Sequence, residues 1–139
     1  MTSSLFNEPI ISVKESDHCK TPWWLYKALD YEFAFDLDPC PLELQPTCDG
    51  LTMDWNGKRV FCNPPYSNIA PWIDKALTSS ALTVFLVPAR FNSEWCRHLR
   101  EAKAEFRFMR SFNFEGHDGT ERQPVGGAMV VIVNRLYER

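Results

Sequence analysis

The stretch Val60-Phe61-Cys62-Asn63-Pro64-Pro65-Tyr66 holds the residue types best suited to chemistry in this 139-residue chain. Two successive prolines fix φ at about −65° and delete two N–H donors, so the carbonyls beside them stand on a stiff frame. The carboxamide of Asn63 adds a side-chain carbonyl. An amino group conjugated to a ring, such as the exocyclic nitrogen of adenine, is a poor nucleophile because its lone pair is delocalised. The Asn63 side-chain carbonyl and the Pro64 main-chain carbonyl suit its two hydrogens, and accepting both would polarise the nitrogen. Tyr66 adds an aromatic face on which such a ring can stack, worth about 1–3 kcal/mol per base. The same four residues also make an ordinary strand-ending turn, because Asn-Pro and Pro-Pro are common breakers.

The segments around this tetrapeptide alternate helix and strand signals. Thr21 as N-cap and Pro22 as first helical residue open TPWWLYKALD, which predicts a helix to about Asp30. FAFDLDP alternates as a strand that Pro39 ends, and residues 40–57, rich in Pro, Asp, Gly and Cys, read as a loop. After the short strand Arg59–Cys62, IAPWIDKALTSS predicts a helix capped by Ser67 or Asn68, with Pro71 in its first turn. ALTVFLVPA is an unbroken apolar run, as in a parallel-sheet strand buried on both faces. Asn92 or Ser93 caps a further helix to about Lys103, AEFRFMRSFNF alternates as a strand, and GGAMVVIVNRLY is a β-branched final strand beyond the polar loop 115–125.

This order predicts an α/β fold: an open, mostly parallel sheet with an antiparallel terminal strand pair. Residues 19–139 form one domain behind an N-terminal arm, 1–18. Ligands of such sheets bind beyond the carboxyl ends of the strands. Asp36–Pro39, Asn63–Tyr66 and Pro88–Arg90 all fall at such ends.

Composition narrows the class. With 45% hydrophobic residues the chain can build a core, and a net charge of −3 supplies no global field toward nucleic acid. The stretch 90–110 is nevertheless locally basic, through Arg90, Arg97, Arg100, Lys103, Arg107 and Arg110. Five cysteines without a CxxC pair or a secretion signal predict reduced thiols and no metal site. No apolar run is long enough for a bilayer, so a cytoplasmic location and no membrane partner are expected. Trp23, Trp24 and Trp72 at helical spacing are expected to pack in the core, His18 to lie in a loop and His98 on a helix surface.

Asn63-Pro64-Pro65-Tyr66 resembles the (D/N)PP(Y/F/W) motif of amino-methyltransferases that use S-adenosylmethionine. Taken in order, CKTPWWLYKALD, FDLDPCP, DGLTMDW, RVFCNPPY, IAPWIDKA, LVPAR and GGAMVVIV resemble the small phage-type DNA adenine-N6 methyltransferases across residues 17–135. The resemblance implies a shortened, Rossmann-like methyltransferase sheet. It also implies methyl transfer from S-adenosylmethionine to the N6 of an adenine flipped out of DNA, inside a host bacterium if the chain is phage-encoded. Asn63, Pro64, Pro65 and Tyr66 then form the catalytic clamp. Thr21 and Pro22 correspond to the segment near the cofactor's methionine carboxylate, the alternative being that Thr21 is a plain N-cap. Asp36, Asp38 and Pro39 correspond to the acidic segment facing its methionine or ribose end. Asp54 and Trp55 correspond to the pair that holds its adenine, the alternative being a loop acid beside a buried Trp. DNA contacts are expected from Arg90 and Arg97, and from Phe112 and Phe114 lining the base pocket; the alternative for Arg90 is pairing with an acid.

Three departures accompany the resemblance. Where the superfamily carries a glycine-rich turn, DPCPLELQPTC has no glycine. The interval from Asp38 to Asp54 is too short for a helix–strand–helix. With no separate recognition domain, DNA is to be read by loops 40–53 and 115–125, by the 90–110 stretch, or by a second subunit in a homodimer. Two other readings stay open: the clamp can hold a glutamine amide, or the chain can be a catalytically weak or inactive methyltransferase-like module that binds DNA or protein.

Overall fold

Strand β2 (Leu82–Pro88) is the axis of the molecule, with all seven of its residues buried. Such a strand needs a neighbour on each side and a layer on each face. The computed structural model, which describes residues 21–41, 49–109, 114–115, 121–122 and 127–135, supplies both. β1 (Arg59–Cys62) lies parallel to β2, with Arg59 opposite Leu82 and Cys62 opposite Phe85. On the other side β6 (Ala128–Val133) runs antiparallel, from Thr83 opposite Val133 to Pro88 opposite Ala128. β3 (Glu105–Phe108) pairs antiparallel with β6, so the order is β1-β2-β6-β3. β4 (Phe114–Glu115) and β5 (Glu121–Arg122) form a separate two-stranded antiparallel ribbon.

The sheet is therefore mixed, not mostly parallel as the element order suggested. β3 returns parallel to β2 but one position away, and the reversing chain inserts β6 into the gap. An unbroken apolar run reports burial on both faces; it does not report the direction of the neighbouring strands.

The strand expected over FAFDLDP contracts to one parallel bridge, Leu37 to Val60, where the Phe61 N–H donates to the Leu37 carbonyl. Side chains take over the ladder here. The Asp36 carboxylate accepts the Arg59 N–H, and the Asp38 carboxylate accepts the Cys40 N–H. Pro39 has no N–H to give.

Helix α1 (Trp23–Phe33) continues past the expected stop at Asp30 and ends on Ala34 in the left-handed region, φ 53°. It covers one face of the sheet: the Tyr26 ring meets Phe61 edge-on at 5.1 Å. Phe33 sits beneath the guanidinium groups of Arg107 and Arg135, 5.5 and 5.2 Å from its centroid. α2 (Ala70–Leu77) and α3 (Glu94–Glu101) contact each other and bury Trp72, Ile73 and Ala76, and Trp95, Cys96 and Leu99. Pro71 lies in the first turn of α2, as expected, but Ile69 takes the N-cap place assigned to Ser67 or Asn68. Ser93 does cap α3, its hydroxyl accepting the Cys96 N–H.

Trp72 is buried as expected, whereas Trp23 and Trp24 are 74% and 50% exposed. The buried stripe of α1 is Leu25, Leu29 and Phe33, spaced four apart, and the two indoles stand off it. Among the described residues no helix is long and apolar enough to cross a membrane, and no group of His, Cys, Asp and Glu could hold a metal ion. Cys40, Cys62 and Cys96 are buried. The arm 1–18, with His18, lies outside the described residues.

Candidate active site

β1 ends at Cys62, so the chain leaves the carboxyl edge of the sheet at Asn63. Asn63 and Pro65 are partly exposed, and Pro64 and Tyr66 are buried. The Asn63 side-chain nitrogen donates to the Thr21 hydroxyl at 2.9 Å. Thr21 is thus not the helix cap that TPWW suggested. Pro22 occupies the N-cap of α1, no side chain caps it, and the Pro22 carbonyl receives the Leu25 and Tyr26 N–H groups. A carboxamide is planar with one donor end and one acceptor end. With Nδ2 on Thr21, the Oδ1 end is turned away from Thr21.

A second brace holds the other end of the tetrapeptide. The Arg90 guanidinium donates to the Tyr66 main-chain carbonyl at 3.0 Å, joining the turn after β2 to the turn after β1. The Tyr66 ring itself is 3% exposed and belongs to the core. This corrects the expectation of an open stacking face: the ring backs the turn from inside. The Tyr66 carbonyl is the partner that the structure gives Arg90.

The acids separate by the pleat and register of the chain beside β1. Asp36 lies level with Arg59, at the amino end of β1, and its carboxylate is spent on the Arg59 N–H at 2.8 Å. Leu37 pairs with Val60, so Asp38 reaches the carboxyl edge and is exposed there. Tyr26 faces this region from α1; burial pushes its hydroxyl pKa upward, and the Asp30 and Asp38 carboxylates add to the shift. Asp54 is exposed and accepts the Asn56 N–H, while Trp55 is wholly buried, its indole N–H on the Gly50 carbonyl and its ring beside Trp72.

Gly50 is a residue the sequence reading missed. It opens a 3₁₀ turn, Gly50–Thr52, and a Cβ there would stand 2.0 Å from the Pro39 carbonyl oxygen. The absent side chain lets the Gly50 backbone pass close against Pro39. The only signal was the Asp-Gly pair at 49–50.

The sequence profile of the DNA N-6-adenine-methyltransferase (Dam) family matches residues 10–138. The chain belongs to this family. A DNA N-6-adenine-methyltransferase of Haemophilus phage HP1 (strain HP1c1) is 33% identical over 95 residues, covering 58% of this chain and 55% of the phage protein. The chain therefore spans about half the length of the curated relative it matches. No solved structure matches it.

For a member of a DNA methyltransferase family the basic residues matter, and the structure divides them. Arg97 pairs with Glu94 and Glu101 on the exposed side of α3. Arg107 pairs with Glu32 and Glu105 on the α1 face. Among the described residues of the 90–110 stretch, which leave out Arg110, the cations are therefore not one basic patch, and Arg97 is neutralised by its own helix. No carboxylate among the described residues pairs with Arg90 or Arg100. Arg100 donates to the Phe91 carbonyl at 3.1 Å. Phe91, three residues beyond the end of β2, and Phe108, the last residue of β3, are 49% and 69% exposed and meet edge-on at 5.7 Å, on the edge that carries Asn63. Neither was singled out from the sequence. Phe112 lies outside the described residues, and of Phe114 only the backbone pairing with Arg122 is described. His98 is on the surface of α3 near Asp74 and Glu94, as expected.

Proposed function

We propose that this protein transfers a methyl group from S-adenosylmethionine to the exocyclic N6 of adenine in DNA. The observation that carries the reading is the Asn63 carboxamide at the carboxyl end of β1, its nitrogen held by Thr21 and two prolines behind it. Family membership supports it, and so does the order bridge-β1-β2-β6-β3, which fits a shortened Rossmann-like methyltransferase sheet.

When bound, S-adenosylmethionine supplies an electrophilic methyl group on a cationic sulfur. The exposed carboxylate of Asp38 at the edge of the site suits a neighbouring positive charge or ribose hydroxyls. Asp54, exposed in the adjoining turn, would accept from the amine of the cofactor's adenine. Asp36 and Trp55 are engaged elsewhere and hold the scaffold. The target adenine leaves its stack at a cost of a few kcal/mol. Asn63 Oδ1 and the Pro64 carbonyl then accept its two N6 hydrogens, concentrating electron density on the nitrogen. Holding the amine fixed between these two carbonyls would supply much of the rate. Once methylated, the nitrogen is cationic and gives one proton to solvent, so the site needs no dedicated base. Phe91, Phe108, Arg90 and Arg100 on the same edge form the face that meets DNA.

The test is transfer of radiolabelled methyl groups to unmethylated DNA, with the product identified by mass spectrometry. N6-methyladenine is expected, and Asn63→Ala should lower the rate by about 100-fold or more. Label on glutamine would sink the DNA reading. No transfer and no calorimetric heat with S-adenosylmethionine would leave a binding module.

A further inference from the structure

The Thr21 hydroxyl is spent on Asn63, forty-two positions away, and not on the helix that follows it. A carboxamide can turn over about its last torsion and present either end to a ligand. Only one orientation serves a substrate amine, because the turned-over amide would face the amine's hydrogens with hydrogens of its own. The productive orientation directs Nδ2 into a partly buried place, where a donor left without an acceptor is costly. Thr21 provides that acceptor.

We infer that Thr21 is a positioning residue: its hydroxyl accepts from Asn63 Nδ2 and holds the amide in the orientation that presents Oδ1 to the substrate's N6. The inference rests on the proposed function and deepens it, and it moves Thr21 from the cofactor's carboxylate to the acceptor's amine. It also gives the entry of α1 a purpose, since Pro22 at the N-cap leaves the preceding side chain free of capping duty.

Thr21→Val keeps the shape and removes the acceptor, whereas Thr21→Ser keeps the acceptor. With the full-length protein, Thr21→Val should lower kcat about tenfold, the equivalent of one oriented hydrogen bond. The calorimetric Kd for S-adenosylmethionine should be unchanged, and Thr21→Ser should restore the rate. Adding Thr21→Val to Asn63→Ala should lower the rate no further, because the two act as one unit. A weakened cofactor Kd with intact kcat would overturn the inference and return Thr21 to the cofactor. A second readout is independent of turnover: the side-chain NH₂ resonances of Asn63, assigned by their loss in Asn63→Ala, should move in Thr21→Val and hold in Thr21→Ser. Unmoved resonances in Thr21→Val overturn the inference whatever the rates. If the wild-type protein methylates no DNA, the proposed function fails while these resonances still decide the placement of Thr21. Should Thr21→Val not fold, Thr21→Ala carries the same comparisons.

Discussion

Gly50 and Gly57 illustrate two different reasons for a hydrogen in place of a side chain. Gly57 has φ 77° and open space around a would-be Cβ, so its need is conformational. Gly50 has no positive φ, but a Cβ there would stand 2.0 Å from the Pro39 oxygen and 2.7 Å from its carbonyl carbon, both backbone atoms. The Trp55 indole holds the Gly50 carbonyl from the other side at 3.0 Å, so the turn has little room to withdraw. Gly50→Ala should therefore cost about 3 kcal/mol, the upper end for overpacking a close contact. Gly57→Ala should cost about 1 kcal/mol, the penalty of a left-handed alanine. Urea denaturation of both variants checks the order. Because Pro39 adjoins Asp38, Gly50→Ala should also weaken S-adenosylmethionine binding in calorimetry, and Gly57→Ala should not. At this scale Asn63-Pro64-Pro65-Tyr66 was legible because its chemistry is local, carried by four adjacent residue types. Gly50 against Pro39 and Thr21 against Asn63 were not, because each is a contact between separate segments. Asp36 and Asp38 look alike in the sequence; only the register of Leu37 on Val60 sends one to the Arg59 amide and the other to the open edge.

The helices were legible in place and the sheet in content, because hydrophobic periodicity and turn residues are properties of one segment. Strand neighbours belong to two segments, and for that reason the insertion of β6 between β2 and β3 left no mark on either sequence. Helix ends are intermediate, and α1 shows why. Its last turn closes with the Ala34 N–H on the Asp30 carbonyl at 2.7 Å, while the Phe35 N–H goes to the Asp30 carboxylate at 2.9 Å. Both bonds require the chain to turn at Ala34 through φ 53°, ψ 67°, a conformation that normally selects glycine. An alanine there costs about 1–2 kcal/mol. Replacing it with glycine relieves that strain but returns about 0.4–1 kcal/mol of chain entropy to the unfolded state. Ala34→Gly should therefore stabilise the protein by about 0.5–1 kcal/mol, read as a higher urea midpoint at an unchanged slope. A midpoint at or below that of the parent would mean that the two Asp30 bonds do not hold the turn in solution.

The chain's two halves are joined on the α1 face by charge. Glu32 at the end of α1 receives both terminal nitrogens of Arg107 at 2.7 Å and Arg135 at 3.1 Å. Glu105 accepts from the same two arginines at 3.0 and 2.9 Å, and the Phe33 ring lies beneath both cations. Two acids and two bases from α1, β3 and the residues after β6 thus form one closed network, in which Arg107 is held protonated above its ordinary range, first by its bond to Glu32. The hydrogen bond from Arg107 is also the first reason that the Glu32 carboxyl lies below its ordinary value of 4.5. A carboxylate whose folded pKa is depressed contributes stability above the unfolded value, and that contribution is lost as pH falls through the folded one. All four side chains are about a third or more exposed, so solvent screens each pair to about 1 kcal/mol or less. Glu32→Gln should accordingly melt below the parent near neutral pH, and the gap should close as pH falls below 4.5, where the parent's Glu32 takes up its proton. Added salt should narrow the gap at neutral pH, since exposed pairs are screened within about 10 Å at 0.1 M. Thermal melts of both proteins across pH and salt test this. A gap that persists undiminished in acid would assign the loss to the packing of the Glu32 stem beside Phe33, not to charge.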